Sequence, residues 1–343
     1  MSGVDPRRGL TRRRNARSPL QTRALAAVSA AIERLGLVKL FFRGVVAGRR
    51  RWAPTWRTRA FAGYTPTCHD VLVCTYTKSG TNLMLQMVHQ IAHLGEGDLD
   101  HIHDVAPWPD GPHLTGATLD DGGWLRSPVG LRAIKTHLEA DHVPWRPEAR
   151  YVVVLRSPGD TLASGYYFVH SVANGFLDHQ FTWEEWLELS LADRSPLGSW
   201  AEHTASWWRL RGRGNVLFLT YEQITRDLDA TVRQVAAFLG VTLSDEVRAR
   251  VIERCGFSWM KAHEAAFRPP FVPLPGRAPA VMVRSGRSGD GARLLPEEAL
   301  ARLDAHTRRE LQRLGSDFPY ARLLAGEPVD ASIPATSRRP SPS

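Results

Sequence analysis

Four short, dense apolar runs punctuate the chain: residues 71–76 (VLVCTY), 131–135 (LRAIK), 151–155 (YVVVL) and 216–220 (VLFLT). Runs of this length without polar alternation suit strands buried on both faces of a parallel sheet. Stretches with apolar residues at helical spacing follow three of them, at 81–94, 160–172 and 224–239, the last closed by Gly240. Strands and helices in alternation imply an α/β fold, a parallel sheet flanked by helices. In such sheets ligands sit beyond the carboxyl ends of the strands, so the residues leaving these runs are where chemistry is expected.

The ends of the chain read differently. Residues 1–60 hold fifteen Arg or Lys against Asp5 and Glu33, a surplus of +13 that leaves about −4 for the remainder of a chain whose net charge is +9. The basic balance therefore belongs to an N-terminal arm, which weakens a nucleic-acid-binding reading of the fold. Residues 1–19 are Arg-rich and expected to be disordered, as are the Pro- and Ser-rich residues 326–343. Between the arm and the α/β domain at 61–325, residues 20–60 form a helical extension in which Leu25, Val28, Ile32 and Leu35 recur at helical spacing. That stripe fits first docking on the protein's own core, as surface helices usually do, and second an anionic membrane surface. No run of eighteen apolar residues occurs, and Arg23, Glu33 and Arg34 interrupt any signal-peptide core. Three cysteines, Cys68, Cys74 and Cys255, give neither a disulfide framework nor a metal-ligand spacing, so a reducing, cytoplasmic setting and a metal-free site are expected.

The basic residues are unequal in kind: forty Arg against four Lys, namely Lys39, Lys78, Lys135 and Lys261. Where composition favours Arg wherever either serves, a surviving Lys marks a place for a compact point charge. Lys78 opens the turn after the first run, Lys78-Ser79-Gly80-Thr81-Asn82, which leads into a helix. A strand, a small-residue turn and a helix N-terminus together make an anion cradle, with phosphate or sulfate as its guest. The turn is not a Walker A motif, because the Lys precedes the Gly. Alone, such a tetrapeptide is also an ordinary turn.

Lys135 ends the second run and is followed by Thr136 and His137. A histidine at a strand end can accept a proton near neutral pH, and a neighbouring cation can hold charge that develops beside it. After the third run come Arg156 and, eight residues on, Ser164. An Arg fork and a hydroxyl on the next helix can clamp a phosphate from two sides. Residues 284–290 (RSGRSGD) combine two glycines with basic residues, which fits a flexible anion-seeking lid and, by composition alone, a glycine-rich linker.

Taken together, these segments resemble the cytosolic-type sulfotransferases that use 3′-phosphoadenosine 5′-phosphosulfate (PAPS), over about Asp70 to Phe318. TYTKSGT is similar to the family's TYPKSGT loop, KTHLE to its KTHLP motif, YVVVLRSPGDTLASGYYF to YVxRNPKDVAVSYYHF, and RSGRSGD to RKGxxGDW. The resemblance implies a P-loop-like sulfotransferase fold with PAPS as co-substrate. It places Lys78, Ser79, Gly80, Thr81 and Asn82 on the 5′ phosphosulfate, and Arg156, Ser164, Arg284, Ser285 and Gly286 on the 3′ phosphate. Tyr221 would stand beside the nucleotide, Phe257 on adenine, and His137 with Lys135 and Lys78 at the transfer step. Departures are Asn82 for Thr, Leu83 for Trp, Glu139 for Pro and Gly291 for Trp, and no KxxxTVxxxE dimer motif follows.

The function implied is transfer of a sulfuryl group to the hydroxyl of a small-molecule or lipid acceptor, with His137 as general base. Trp108, Trp145, Phe168, Phe267 and Phe271 are candidates for an apolar acceptor pocket. Two other readings stand beside it. One is a P-loop-type kinase, against which the missing Walker glycine and the KTH histidine argue; the other is a binding protein without turnover, for adenosine phosphates or an anionic surface.

Overall fold

The computed structural model describes residues 19–41, 44, 48, 55, 57–111, 116–178, 182–192, 198–269 and 271–329. Residues 1–18 of the basic arm and 330–343 of the tail lie outside the described residues.

The four apolar runs form one parallel sheet, β1 (Asp70–Thr75), β2 (Arg132–Thr136), β3 (Arg150–Leu155) and β4 (Val216–Thr220), in the order β2-β1-β3-β4. Side chains alternate between two apolar layers. Val71, Val73, Val152 and Val154 face one, while Leu72, Cys74, Tyr151 and Val153 face the other. Burial on both sides explains why the strands carry no polar alternation.

Helix α2 (Thr81–Ala92) lies on the first face with α6 (Tyr221–Arg226), α7 (Leu228–Leu239), α8 (Asp245–Cys255) and α9 (Phe257–Ala262). The opposite face is covered by α5 (Trp200–Trp208), by Leu311 of α11 (Glu297–Arg313) and by α12 (Tyr320–Leu324). Helix α3 (Pro158–Ala173) meets α4 (Trp183–Leu191) and α11 in a third cluster around Leu162 and Trp186. The short α10 (Asp290–Leu294) packs on α3. Because β2 and β3 flank β1 on opposite sides, a crevice opens at the carboxyl ends of β1 and β3, the switch point of the sheet.

Two local expectations change. The helix expected over 224–239 is broken at Asp227, whose extended backbone and side chain cap α7 by accepting the Ala230 N–H at 2.8 Å. Gly240 ends that helix with φ 71, as its sequence position suggested. The N-terminal helix α1 (Pro19–Arg34) splits its apolar stripe: Leu25 and Ile32 are partly buried, whereas Val28 and Leu35 are 54% and 68% exposed. Polar ties fix it instead. Glu33 Oε1 accepts from Arg277 at 2.8 Å and from the backbone N–H of Asp178.

Candidate active site

The loop after β1 is shaped by two residues in the left-handed region, Lys78 at φ 66 and Gly80 at φ 95. A Cβ at Gly80 would stand 2.7 Å from Cδ2 of Tyr221, so only glycine lets the turn sit against that ring. Ser79 is buried, and its Oγ has no partner in the protein. The Thr81 hydroxyl is shared with Thr75 at 2.7 Å, and the Asn82 amide donates to the Phe267 carbonyl at 3.1 Å. Those two side chains thus tie the loop to the fold as well as lining the cleft.

Arg156, at the end of β3, is 6% exposed and joins three segments. It donates to the Lys78 carbonyl at 3.1 Å and the Arg287 carbonyl at 3.0 Å, and its guanidinium lies 4.1 Å over the Tyr221 ring. Its Nε has no partner in the protein. Ser164 lines the same cleft from α3.

The 284–291 loop is fastened by an aspartate that the sequence reading did not single out. Asp160 accepts from the backbone N–H of Gly289 at 2.9 Å and of Gly291 at 2.7 Å. A Cβ at Gly291 would lie 2.5 Å from the Gly159 carbonyl carbon, so the close approach of the two segments requires glycine here. Gly286, at φ 62, rides on Phe257: a Cβ there would come within 2.3 Å of the ring. Arg284 and Ser285 both donate to Asp290, and Arg284 stacks 4.6 Å over Tyr167.

Beyond β2, His137 is held in one tautomer. Its Nδ1 faces the Thr75 carbonyl at 2.8 Å, an acceptor only, so Nδ1 carries the proton and Nε2 keeps the lone pair. Asp110, also missed from sequence, accepts the His137 backbone N–H at 2.8 Å. Burial, with the Lys135 charge second, holds the imidazole well below its ordinary pKa. Lys135 Nζ lies 3.4 Å over Trp108 and 3.5 Å from His103 Nε2. Burial lowers Lys135 to about 7, and it lowers Lys78 to about 7 with help from Arg156 and Arg284.

Lys78, Gly80, Thr81, Asn82, Lys135, His137, Arg156, Ser164, Tyr221, Phe257 and the 284–286 turn line one cleft of about 760 Å³, whereas Ser79 is buried behind the loop and does not line it. Trp108, Phe168, Phe267 and Phe271 line it, as expected for an acceptor pocket. Trp145 does not; it stacks on Tyr151 at 4.8 Å, so its place in that group is corrected. An aromatic shortly before a strand gives no sequence signal of which way it faces. Among the described residues, no three His, Cys, Asp or Glu side chains are grouped to hold a metal ion, and no helix is long and apolar enough to cross a membrane.

The cradle has the chemistry for an anionic ligand: Lys78, Arg156 and Arg284 line it, and Arg156 Nε is a buried donor without a partner among the described residues. Comparison with known proteins agrees. The sulfotransferase domain family matches residues 68–315. Rabbit (Oryctolagus cuniculus) sulfotransferase 1C2 is 30% identical over 260 residues, 73% of this chain and 85% of its own. The human protein of that name is 27% identical over 259 residues, with the same 73% and 85% coverage. Mouse sulfotransferase SULT7A1 complexed with PAP shares the fold at TM-score 0.59 and 24% identity, over 79% of this chain and 93% of that one. Retinol dehydratase in complex with retinol and PAP superposes at TM-score 0.59 and 22% identity, over 77% and 86%. The chain belongs to the sulfotransferase family. It is a PAPS-dependent sulfotransferase.

Proposed function

We propose that the 61–325 domain transfers the sulfuryl group to the hydroxyl of an apolar small-molecule or lipid acceptor, with His137 as general base. One observation carries this reading: His137, Lys78 and Arg156, from the ends of three neighbouring strands, meet in a single cleft. PAPS, when bound, supplies the sulfuryl group on its 5′ phosphosulfate.

The chain's own residues do the rest. His137 Nε2 takes the proton of the acceptor hydroxyl, whose oxygen then attacks sulfur as the bond to the 5′ phosphate breaks. The Thr75 carbonyl keeps the Nδ1 proton in place and steadies the imidazolium that forms. Lys78 and Lys135 hold positive charge against the sulfuryl and phosphate oxygens. Ser79, Gly80, Thr81 and Asn82 would hold the 5′ end, and Arg156, Ser164, Arg284, Ser285 and Gly286 the 3′ phosphate. Tyr221 and Phe257 flank the nucleotide. Positioning and electrostatics are asked to supply the acceleration, as in phosphoryl transfer. Incubation with sulfur-labelled PAPS and a metabolite extract tests the reading: a labelled organic product is expected, and none would overturn it.

The N-terminal extension is assigned to an anionic membrane surface from the cytoplasmic side, where three free thiols are at home. Leu20, Val28, Leu35, Leu37, Leu40 and Phe41 are all at least 41% exposed, and the flanking sequence carries the basic surplus. Sedimentation with phosphatidylserine vesicles should exceed that with phosphatidylcholine alone and vanish on deletion of residues 1–41; equal binding by both forms would remove the assignment.

A further inference from the structure

In the cleft that His137 lines, three buried polar atoms have no partner among the described residues: Nδ1 and Nε2 of His203, and Oε2 of Glu139. His203 is 1% exposed and Glu139 9%, and both line the cleft. Buried polar groups are normally paired, so unpaired ones facing a cavity mark where a ligand's polar atom belongs.

The segments that carry the two side chains are tied together. On α5, Ser206 Oγ accepts the Ala140 N–H at 3.0 Å and Trp207 donates to the Leu138 carbonyl at 3.1 Å, which seats the His203 turn against Glu139. Tyr76 packs beside His203, with its ring 6.1 Å away and its hydroxyl donating to the Gly198 carbonyl at 3.4 Å. A Cβ at Gly198 would lie 3.3 Å from the Arg57 guanidinium and 3.7 Å from Glu139 Oε1. Arg57, from the N-terminal extension, pairs with Glu139 Oε1 at 3.2 Å.

We infer that Glu139 and His203 bind a second hydroxyl of the acceptor, so that the preferred substrates are amphiphilic diols. The inference rests on the placement of the reacting hydroxyl at His137: Glu139 stands two residues beyond it, past a bend at Leu138, and both side chains line the cleft. The class follows from charge. Arg57 already offsets the carboxylate, so the site calls for a neutral donor and not a second cation. A hydroxyl can donate to Glu139 Oε2 and accept from one nitrogen of His203, which burial keeps neutral with its pKa lowered to about 3.

Three phenols differing only at the distal end test this: 4-ethylphenol, tyrosol with an alcohol, and tyramine with an ammonium. Binding to the full-length enzyme is read by calorimetry with 3′,5′-ADP on the cofactor side; transfer from PAPS is read separately. Tyrosol should bind about tenfold more tightly than either of the others, the usual scale for a hydrogen bond to a charged group. In Glu139→Ala that preference should fall to about one while 3′,5′-ADP still binds, which shows the variant is folded. In Arg57→Gln the uncompensated carboxylate should make tyramine the tightest of the three. Tyrosol binding no better than 4-ethylphenol, or a preference that survives Glu139→Ala, would overturn the inference. Neither outcome touches the proposed function, which fails instead if no acceptor receives label while the diol preference holds.

Discussion

The carbonyl oxygen of Thr75 accepts the Nδ1 proton of His137 at 2.8 Å, and the same threonine's hydroxyl lies 2.7 Å from Thr81 in the anion loop. One residue at the end of β1 therefore fixes the tautomer of His137 and the first turn of the helix that follows the loop. With burial holding the imidazole well below its ordinary pKa, His137 stays a free base under mildly acid conditions. The acid limb of kcat/KM, which reports the free enzyme, should consequently lie below pH 6.5; a limb at or above that value in the pH–rate profile would contradict the arrangement.

The two site lysines are shifted in the same direction as His137 but are needed in the charged form. Lys78 and Lys135 are lowered to about 7, so they are charged below that pH and lose charge as pH rises through it. A bound polyanion restores their protons. Binding of 3′,5′-ADP should take up few protons at pH 6 and close to two at pH 8.5, with affinity falling across that range. Calorimetry in buffers of different ionisation enthalpy measures this, and pH-independent uptake would exclude the two lysines from the anion site.

Selection for the 3′ phosphate should be visible in thermal shifts. At equal concentration 3′,5′-ADP should raise the melting temperature more than 5′-AMP or ATP. Ser164→Ala should lower 3′,5′-ADP affinity about 10- to 150-fold, the cost of one hydrogen bond to a charged group, and leave 5′-AMP unchanged. Equal shifts from all three nucleotides would remove the 3′ site.

Gly291 tests the late loop without touching ligand. The Cβ of Gly291→Ala would fall 2.5 Å from Gly159 and 2.8 Å from the Asp160 nitrogen, both backbone atoms with little room to move. Destabilisation of about 1–3 kcal/mol is expected, together with weaker 3′,5′-ADP binding, because the same contact seats Asp290 against Arg284. Wild-type melting would show that the loop packs differently.

Much of this was legible in the chain. All four strands fall within a residue of their apolar runs, since burial on both sides leaves a dense signal, and the residues at their ends were found because a parallel sheet sends them to one rim. What escaped depends on distant partners. Asp160 looked like an ordinary first-turn acid until Gly289 and Gly291, about 130 residues on, met its oxygens. Asp110 acts through a backbone N–H that no side-chain pattern reveals. In α1 the apolar stripe was visible, but not that polar ties at Glu33 would decide which side faces the body.

The central claim, that His137 is the base, is tested most directly by its asparagine variant. Label transfer from PAPS to a metabolite extract should be measured for wild type and His137→Asn, with 3′,5′-ADP affinity determined on the same preparations. Affinity should stay close to wild type while turnover falls by about 10² to 10⁴, the range for losing a general base. Turnover near wild type in His137→Asn, with binding intact, would contradict the account.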